Sequence, residues 1–250
     1  MKKKAKDQFI QYFGRKPQFS RQELYDYFLT AEGELKEGTL GWRIHDLKQK
    51  KLLQEIRRGW YTVEINPFYK PVIEPTVKEL AHLFTKNFRN ARYCIWNLSW
   101  LNEFTIHQFS SERIIFEVEK DLQESLANLL GDNGYNNVVW DMKGPLSRNN
   151  FKEIPTVLLP LISRAPVQDI TTDDGQSVVV PTLEKILVDI YEGKSIFRFL
   201  QGAEIERIFE HAIERYAINY ATLFNYAKRR GKAVELNELL SKYVPDTLIK

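Results

Sequence analysis

The sequence is poor in residues that staple, ligate metal or span membranes. Its 250 residues include one cysteine, Cys94, so an internal disulfide cannot form, and a lone thiol fits a reducing cytoplasm. Cys94 lies among apolar residues in a strand candidate and reads as core, not as a nucleophile. The four histidines, His45, His82, His107 and His211, show neither HExxH nor paired-ligand spacing, which argues against a metal site. Walker loops, GxGxxG turns and GxSxG elbows are all missing, so no cofactor and no catalytic residue is expected. No apolar run approaches a membrane span. The opening Met-Lys-Lys-Lys suits a signal peptide, but Asp7, Gln8 and Gln11 interrupt any apolar segment behind it. The expectation is a soluble, cytoplasmic protein without membrane contact.

What is present is a core-forming composition with unevenly placed charge. At 43% hydrophobic and 28% charged, the chain can bury a core and is no disordered tail. The formal charge of +3 divides unequally. Residues 1–70 hold 15 Lys and Arg against 9 Asp and Glu, a net +6, leaving 21 against 24, a net −3. A basic head on a mildly acidic body is what a polyanion-binding module would show.

The head has a readable order. Ala5 to Phe13 reads as a helix with Phe9 and Phe13 one turn apart. Ser20-Arg-Gln-Glu23 is a capping box for a second helix burying Leu24, Tyr27 and Phe28. Leu40, Ile44 and Leu47 form the buried stripe of a third helix, with Trp42, Arg43, Asp46, Gln49 and Lys50 pointing away. The period then switches to two. Leu52–Arg57 and Trp60–Ile65 flank Arg58-Gly59, with Tyr61, Val63 and Ile65 on one face and Trp60, Thr62 and Glu64 on the other. Three helices followed by a hairpin is the winged helix-turn-helix order. The expected duplex contacts follow from it. Trp42 and Arg43 would meet base edges, Lys36, Thr39 and the helix amides the phosphates, and Arg57 and Arg58 an adjacent phosphate or minor groove, with Lys50 also among the expected DNA-binding residues.

Pro67, Pro71 and Pro75 mark an extended linker, so the expected domains are 1–70 and 71–250. The body opens with a capping box at Thr76-Val-Lys-Glu79 and a helix through Val77, Leu80, Ala81, Phe84 and Phe88. Tyr93–Ile95 and Arg113–Glu119 are strand candidates, with a helical stretch at Ser99–Phe104 between them. Asp121 caps an expected helix Leu122–Leu130 that Gly131 ends, and Asn137–Trp140 follows as a strand. Strand, helix and strand at this spacing suggest a βαβ crossover with parallel neighbours. Thr156–Ile162, Val167–Thr171 and Gln176–Val180 add strands, and everything from Thr182 onward reads as helix. The fold class expected is α+β, an N-terminal winged helix-turn-helix followed by a mixed α/β domain with a helical C-terminal tail. Lys228-Arg229-Arg230 before Gly231 reads as cations complementing a helix dipole at a glycine cap, with a second nucleic-acid contact as the alternative.

One constellation has the residue types of a Mg²⁺-dependent nuclease. Glu117 and Glu119 end one strand, Asp141 and Lys143 the next, and carboxylates with a lysine on neighbouring strands can bind the ion and activate water. A protein-interaction adaptor whose winged helix never meets DNA is a further alternative.

Leu40–Leu53, Gly59-Trp60-Tyr61, Val180-Pro-Thr-Leu-Glu-Lys-Ile-Leu-Val-Asp189 and Tyr220-Ala-Thr-Leu-Phe-Asn-Tyr-Ala-Lys-Arg-Arg-Gly231 resemble AbiEi-type antitoxins of type IV toxin–antitoxin, abortive-infection systems. The resemblance implies a winged helix that binds double-stranded DNA at the promoter of its own operon. It also implies an antitoxin domain opposing a nucleotidyltransferase toxin, with a homodimer as one assembly open to it. The chain lacks a Gly-Ser followed by an Asp-x-Asp pair, so it is not itself such a toxin. It departs from the family in its long proline linker and its acidic body.

Overall fold

Short-range signals set the first third of the chain. The computed structural model describes residues 3–14, 16, 18–63, 66–106, 113–140, 156–193 and 196–243. Helix α1 (Lys3–Phe13) buries Phe9 and Phe13. Strand β1 (Phe19–Ser20) leads into α2 (Arg21–Glu32) through a complete capping box. The Glu23 amide donates to Ser20 Oγ at 3.2 Å and the Ser20 amide to Glu23 Oε2 at 2.8 Å. Gly33 then stops α2 at φ +78°, where a side chain would be strained.

Helix α3 (Glu37–Gln49) buries the expected Leu40, Ile44 and Leu47, and begins three residues before Leu40. Strands β2 (Gln54–Arg57) and β3 (Trp60–Thr62) pair antiparallel across Arg58-Gly59, and β1 joins them in the order β1-β3-β2. Gly59 takes φ +76°, which that two-residue turn requires. One hydrophobic cluster unites these elements, from Phe9 to Tyr61, with Val63 packed against it. Ile65 and Glu64, expected on the two faces of the hairpin, lie outside the described residues.

The linker is docked on the body. Asn66 Nδ2 donates to the carbonyls of Ile213 and Glu214 at 3.4 and 3.3 Å, and the Ala217 amide donates to Pro67 O at 3.0 Å. Helix α4 (Pro75–Asn87) starts earlier than its sequence suggested. Pro75 supplies the first turn with a fixed φ and no orphan N–H, so Thr76 sits inside the helix and caps nothing. The preceding Glu74 carboxylate instead accepts from Trp100 Nε1 at 3.0 Å and from Ser99 Oγ at 3.2 Å.

A four-stranded sheet forms the centre of the body. It comprises β4 (Tyr93–Asn97), β5 (Ile114–Val118), β6 (Val138–Val139) and β7 (Thr156–Pro160), in the order β4-β5-β7-β6. β4 runs antiparallel to β5, whereas β5, β7 and β6 are parallel. The crossover through α5 (Gln123–Asp132) therefore joins parallel strands, but β7 lies between them, so β5 and β6 are not neighbours. Asp121 falls in a 3₁₀ turn before α5 without capping it, and Gly131 is inside the helix. β8 (Val167–Thr171) and β9 (Ser177–Pro181) form a separate hairpin. Helices α6 (Leu183–Glu192), α7 (Ala203–Arg215), α8 (Tyr220–Arg229) and α9 (Ala233–Leu240) complete the body.

Residues from Tyr69 to Leu240 share a second hydrophobic cluster, which also contains Ile56 of β2. The β2–β3 hairpin thus contributes to both clusters: Tyr61 of β3 belongs to the first and Ile56 of β2 to the second, where α8 lies against β2. Burial on both faces explains why Gln54 and Thr62, polar residues of the hairpin, are buried. The whole is an α+β protein. Among the described residues no helix is long and apolar enough to cross a membrane.

Candidate functional site

In the head, α3 carries three of the seven residues with an expected DNA role, Thr39, Trp42 and Arg43, and Lys36 and Lys50 flank it. Thr39, Trp42, His45 and Gln49 are exposed along it, Trp42 at 67%. Lys36, immediately before the helix, is also exposed, and its side chain makes no cap. Arg58 is exposed in the hairpin turn; the side chain of Arg57 lies outside the described residues.

Arg43 and Lys50 are placed differently from the expectation. The Arg43 guanidinium binds both carboxylate oxygens of Glu32 and stands 4.9 Å over the Phe28 ring. It is a strut between α3 and α2, and contact with a base would require breaking it. Lys50 is held by Asp46 one turn back, at 2.7 Å. Other head cations are similarly occupied: Lys16 by Glu23, Arg21 by Glu37 and Lys48 by Glu55. Among the described residues, Lys6, Lys36, Lys51 and Arg58 are cations of the head with no ion pair. Lys51 follows α3 in the left-handed conformation, φ +51°, and the Leu52 amide closes the turn onto Leu47 O at 2.9 Å. That position favours glycine, so a lysine there is held at a backbone cost.

The nuclease constellation is not assembled among the described residues. Glu117 points from β5 to buried Lys185, whereas Glu119, past the strand end, pairs with Arg92 at 3.0 Å. Asp141 and Lys143 lie outside the described residues. No group of three His, Cys, Asp or Glu able to hold a metal occurs among the described residues.

What the body contains instead is a buried ionic network. Lys185 is fully buried, and its Nζ donates to Glu117 Oε1 and to Asp189 Oδ2, each at 2.5 Å. Tyr226 donates its hydroxyl to Asp189 Oδ1 at 2.8 Å, and Arg230 pairs with Glu192 and approaches Asp189 Oδ1 at 3.4 Å. Burial pushes Glu117 above the usual carboxylate range. Burial also opposes the Lys185 charge, but Asp189 and Glu117 overcome it and hold the ammonium well above the ordinary lysine value. Burial likewise pushes the nearby Cys94 thiol up, which fits an inert core cysteine.

The network borders a cavity of about 380 Å³. Trp96, Ile115, Leu159, Ile196 and Phe197 form its apolar side, and Glu117, Asp189, Glu192, Arg198 and Arg230 its ionic side. Gly193 lines it too. A Cβ there would overlap the Phe197 ring and the Asp189 carbonyl oxygen, so only glycine lets the chain turn under Phe197.

The sequence signals at this site were local and easily read as ordinary. Lys185 and Asp189 are an i,i+4 pair of opposite charge, which on most helices is solvated. The distinguishing feature is that every residue of α6 from Leu183 to Ile190 is buried. In the Lys228-Arg229-Arg230 run, Arg229 donates to Ser163 O at 2.8 Å and Arg230 belongs to the network, before Gly231 at φ +67°.

The sequence profile of a family described as "Family of unknown function (DUF6577)" matches residues 39–246. No curated protein matches the chain. Among solved structures the chain is similar to one titled "Crystal structure of RV2827C protein from Mycobacterium tuberculosis", at 14% identity and a TM-score of 0.26. The alignment covers 91% of this chain and 77% of that one, and a likeness this weak supports no argument about fold or function.

Proposed function

Because the chain belongs to this DUF6577 family, whose function is unknown, no activity comes with membership, and we propose from the geometry that the protein binds double-stranded DNA through its head. In this reading residues 3–63 are a winged helix, α3 is the recognition helix and the Arg58-Gly59 turn is the tip of the wing. The observation that carries it is the exposed row Thr39, Trp42, His45 and Gln49 on α3, flanked by the unpaired cations Lys36, Lys51 and Arg58. Trp42, Thr39 and Gln49 are then the residues that read bases. Lys36, Lys51, Arg58 and Arg57 supply phosphate contacts, and Arg43 and Lys50 keep α3 in place. Extending the AbiEi-type resemblance, the protein is a transcriptional autoregulator at its own operator and an antitoxin opposing a nucleotidyltransferase toxin.

A mobility-shift assay with the DNA upstream of its own gene tests the reading. Binding at low salt should weaken steeply as salt rises, because phosphate contacts release counterions. Trp42→Ala should remove the preference for that DNA over an unrelated duplex, whereas Arg58→Ala should weaken both equally. Absence of any binding at low salt overturns the proposal.

A second reading, a protein-interaction adaptor, is favoured by one observation. Five head cations are neutralised by head carboxylates, and α3 exposes a large apolar tryptophan. Capture of a protein partner that Trp42→Ala abolishes, with no DNA binding, would select it.

A further inference from the structure

The cavity beside Lys185 has an unequal supply of hydrogen-bonding groups. Each of its carboxylates is already held by a cation of the protein, Glu117 and Asp189 by Lys185 and Glu192 by Arg230. Its donors are not all used. Among the described residues Arg198 makes no ion pair, and Trp96 Nε1, in a side chain only 1% exposed, has no hydrogen-bond partner, whereas Arg230 is already held by Glu192 and Asp189. A buried indole N–H without a partner is costly unless something in the cavity accepts from it. A cationic ligand would have to compete with Lys185 and Arg230 for carboxylates they already hold. An acceptor would not.

Two further features favour a ligand over plain solvent. Glu117 is the penultimate residue of β5, and Leu159 and Pro160 end β7, so one end of the cavity lies at the carboxyl ends of parallel strands, where open α/β sheets place their ligands, and Ile115 and Trp96 continue it along the sheet. Trp96 and Phe197 are stacked on each other at 5.8 Å and 27°, and with Ile115 and Leu159 they give the cavity an apolar lining. A volume of about 380 Å³ suits a small molecule.

We propose that this cavity binds a small aromatic monocarboxylate, with its ring against Phe197, Ile115 and Leu159 and its carboxylate on Arg198 and the Trp96 N–H. The site is independent of how the head is used.

Calorimetric titration of the full chain with 2-naphthoate, and with 2-naphthylmethylammonium as its cationic counterpart, tests the proposal. The carboxylate should bind saturably with a dissociation constant below about 1 mM, and the ammonium at least about tenfold more weakly. Arg198→Ala, at an exposed position, should weaken the carboxylate about tenfold without affecting folding. Leu159→Trp, or Ile162→Trp should that variant unfold, fills the cavity and should abolish binding. No saturable binding of naphthoate in the millimolar range overturns the proposal. So does equal affinity for the ammonium, or unchanged affinity in Arg198→Ala and a folded cavity-filling variant.

Discussion

The head and the body use charge in opposite ways. Cations in the head meet carboxylates at half-exposed positions between neighbouring elements, as Arg43 meets Glu32 and Lys48 meets Glu55. The body has surface pairs too, but its largest ionic cluster is sealed: Lys185 is wholly inaccessible and its partners nearly so. A surface pair contributes little, since water would solvate either partner alone. A sealed network is different in kind, because losing one member strands the others without solvent.

Net charge by segment therefore overstates the field of the head. The first 70 residues carry +6 on paper, yet the cations left without an ion pair among their described side chains are only Lys6, Lys36, Lys51, Arg58 and Lys70. Any DNA affinity should come from these few and from the undescribed basic residues of the N-terminus and Arg57.

The largest effect expected is for Lys185→Met. It leaves Glu117 and Asp189 buried with no ammonium between them, and should cost about 3–5 kcal/mol in urea unfolding. Adding Glu117→Gln and Asp189→Asn should restore much of that, because the stranded charges leave with the lysine. If Lys185→Met unfolds at the same urea concentration as the parent, the contrast between sealed and open pairs does not hold.

Arg43→Ala is the matching change in the head. The pair is bidentate but partly solvated, and the expected loss is about 1 kcal/mol, split between the carboxylate and the Phe28 ring. Because Arg43 is a strut, the same change should lower binding to specific and unrelated DNA alike. Loss of discrimination with affinity for unrelated DNA intact would instead show Arg43 leaving Glu32 to read bases.

This division also explains what was legible in the sequence. The capping box at Ser20, the α3 stripe and the Arg58-Gly59 turn depend on residues a few positions apart, and each appears where the local pattern places it. Alternation placed Trp60 and Thr62 on the second face of the hairpin but could not report what covers that face, where α8 lies against the paired strand β2. The β7 insertion between β5 and β6 is decided by long-range pairing, to which a local strand–helix–strand pattern is blind. Lys185 escaped for the same reason. Its burial depends on Glu117, 68 residues away, and on Tyr226 and Arg230 from another helix. The exposed row on α3 was visible, but the sequence could not show that Glu32 had already claimed Arg43.

The smallest effect separates burial from location. Lys78 and Asp174 form an ion pair in the body that is open to solvent on both sides, joining α4 to the β8–β9 turn. Hydrogen bonds from Lys78, then Thr172, hold the Asp174 carboxyl down at about 2. A carboxylate whose folded value is depressed stabilises the fold fully above its unfolded value of ~4 and loses that contribution as pH falls through the folded value. Asp174→Asn should thus melt slightly below the parent at neutral pH, and the gap should close as the pH drops from about 4 toward about 2. Molar salt should narrow the neutral gap, since solvent-exposed pairs are screened. If Asp174→Asn destabilised as much as Lys185→Met, membership of the body would matter and burial would not. A loss smaller than that of Arg43→Ala would instead rank the three pairs by solvent access alone, whichever cluster they belong to.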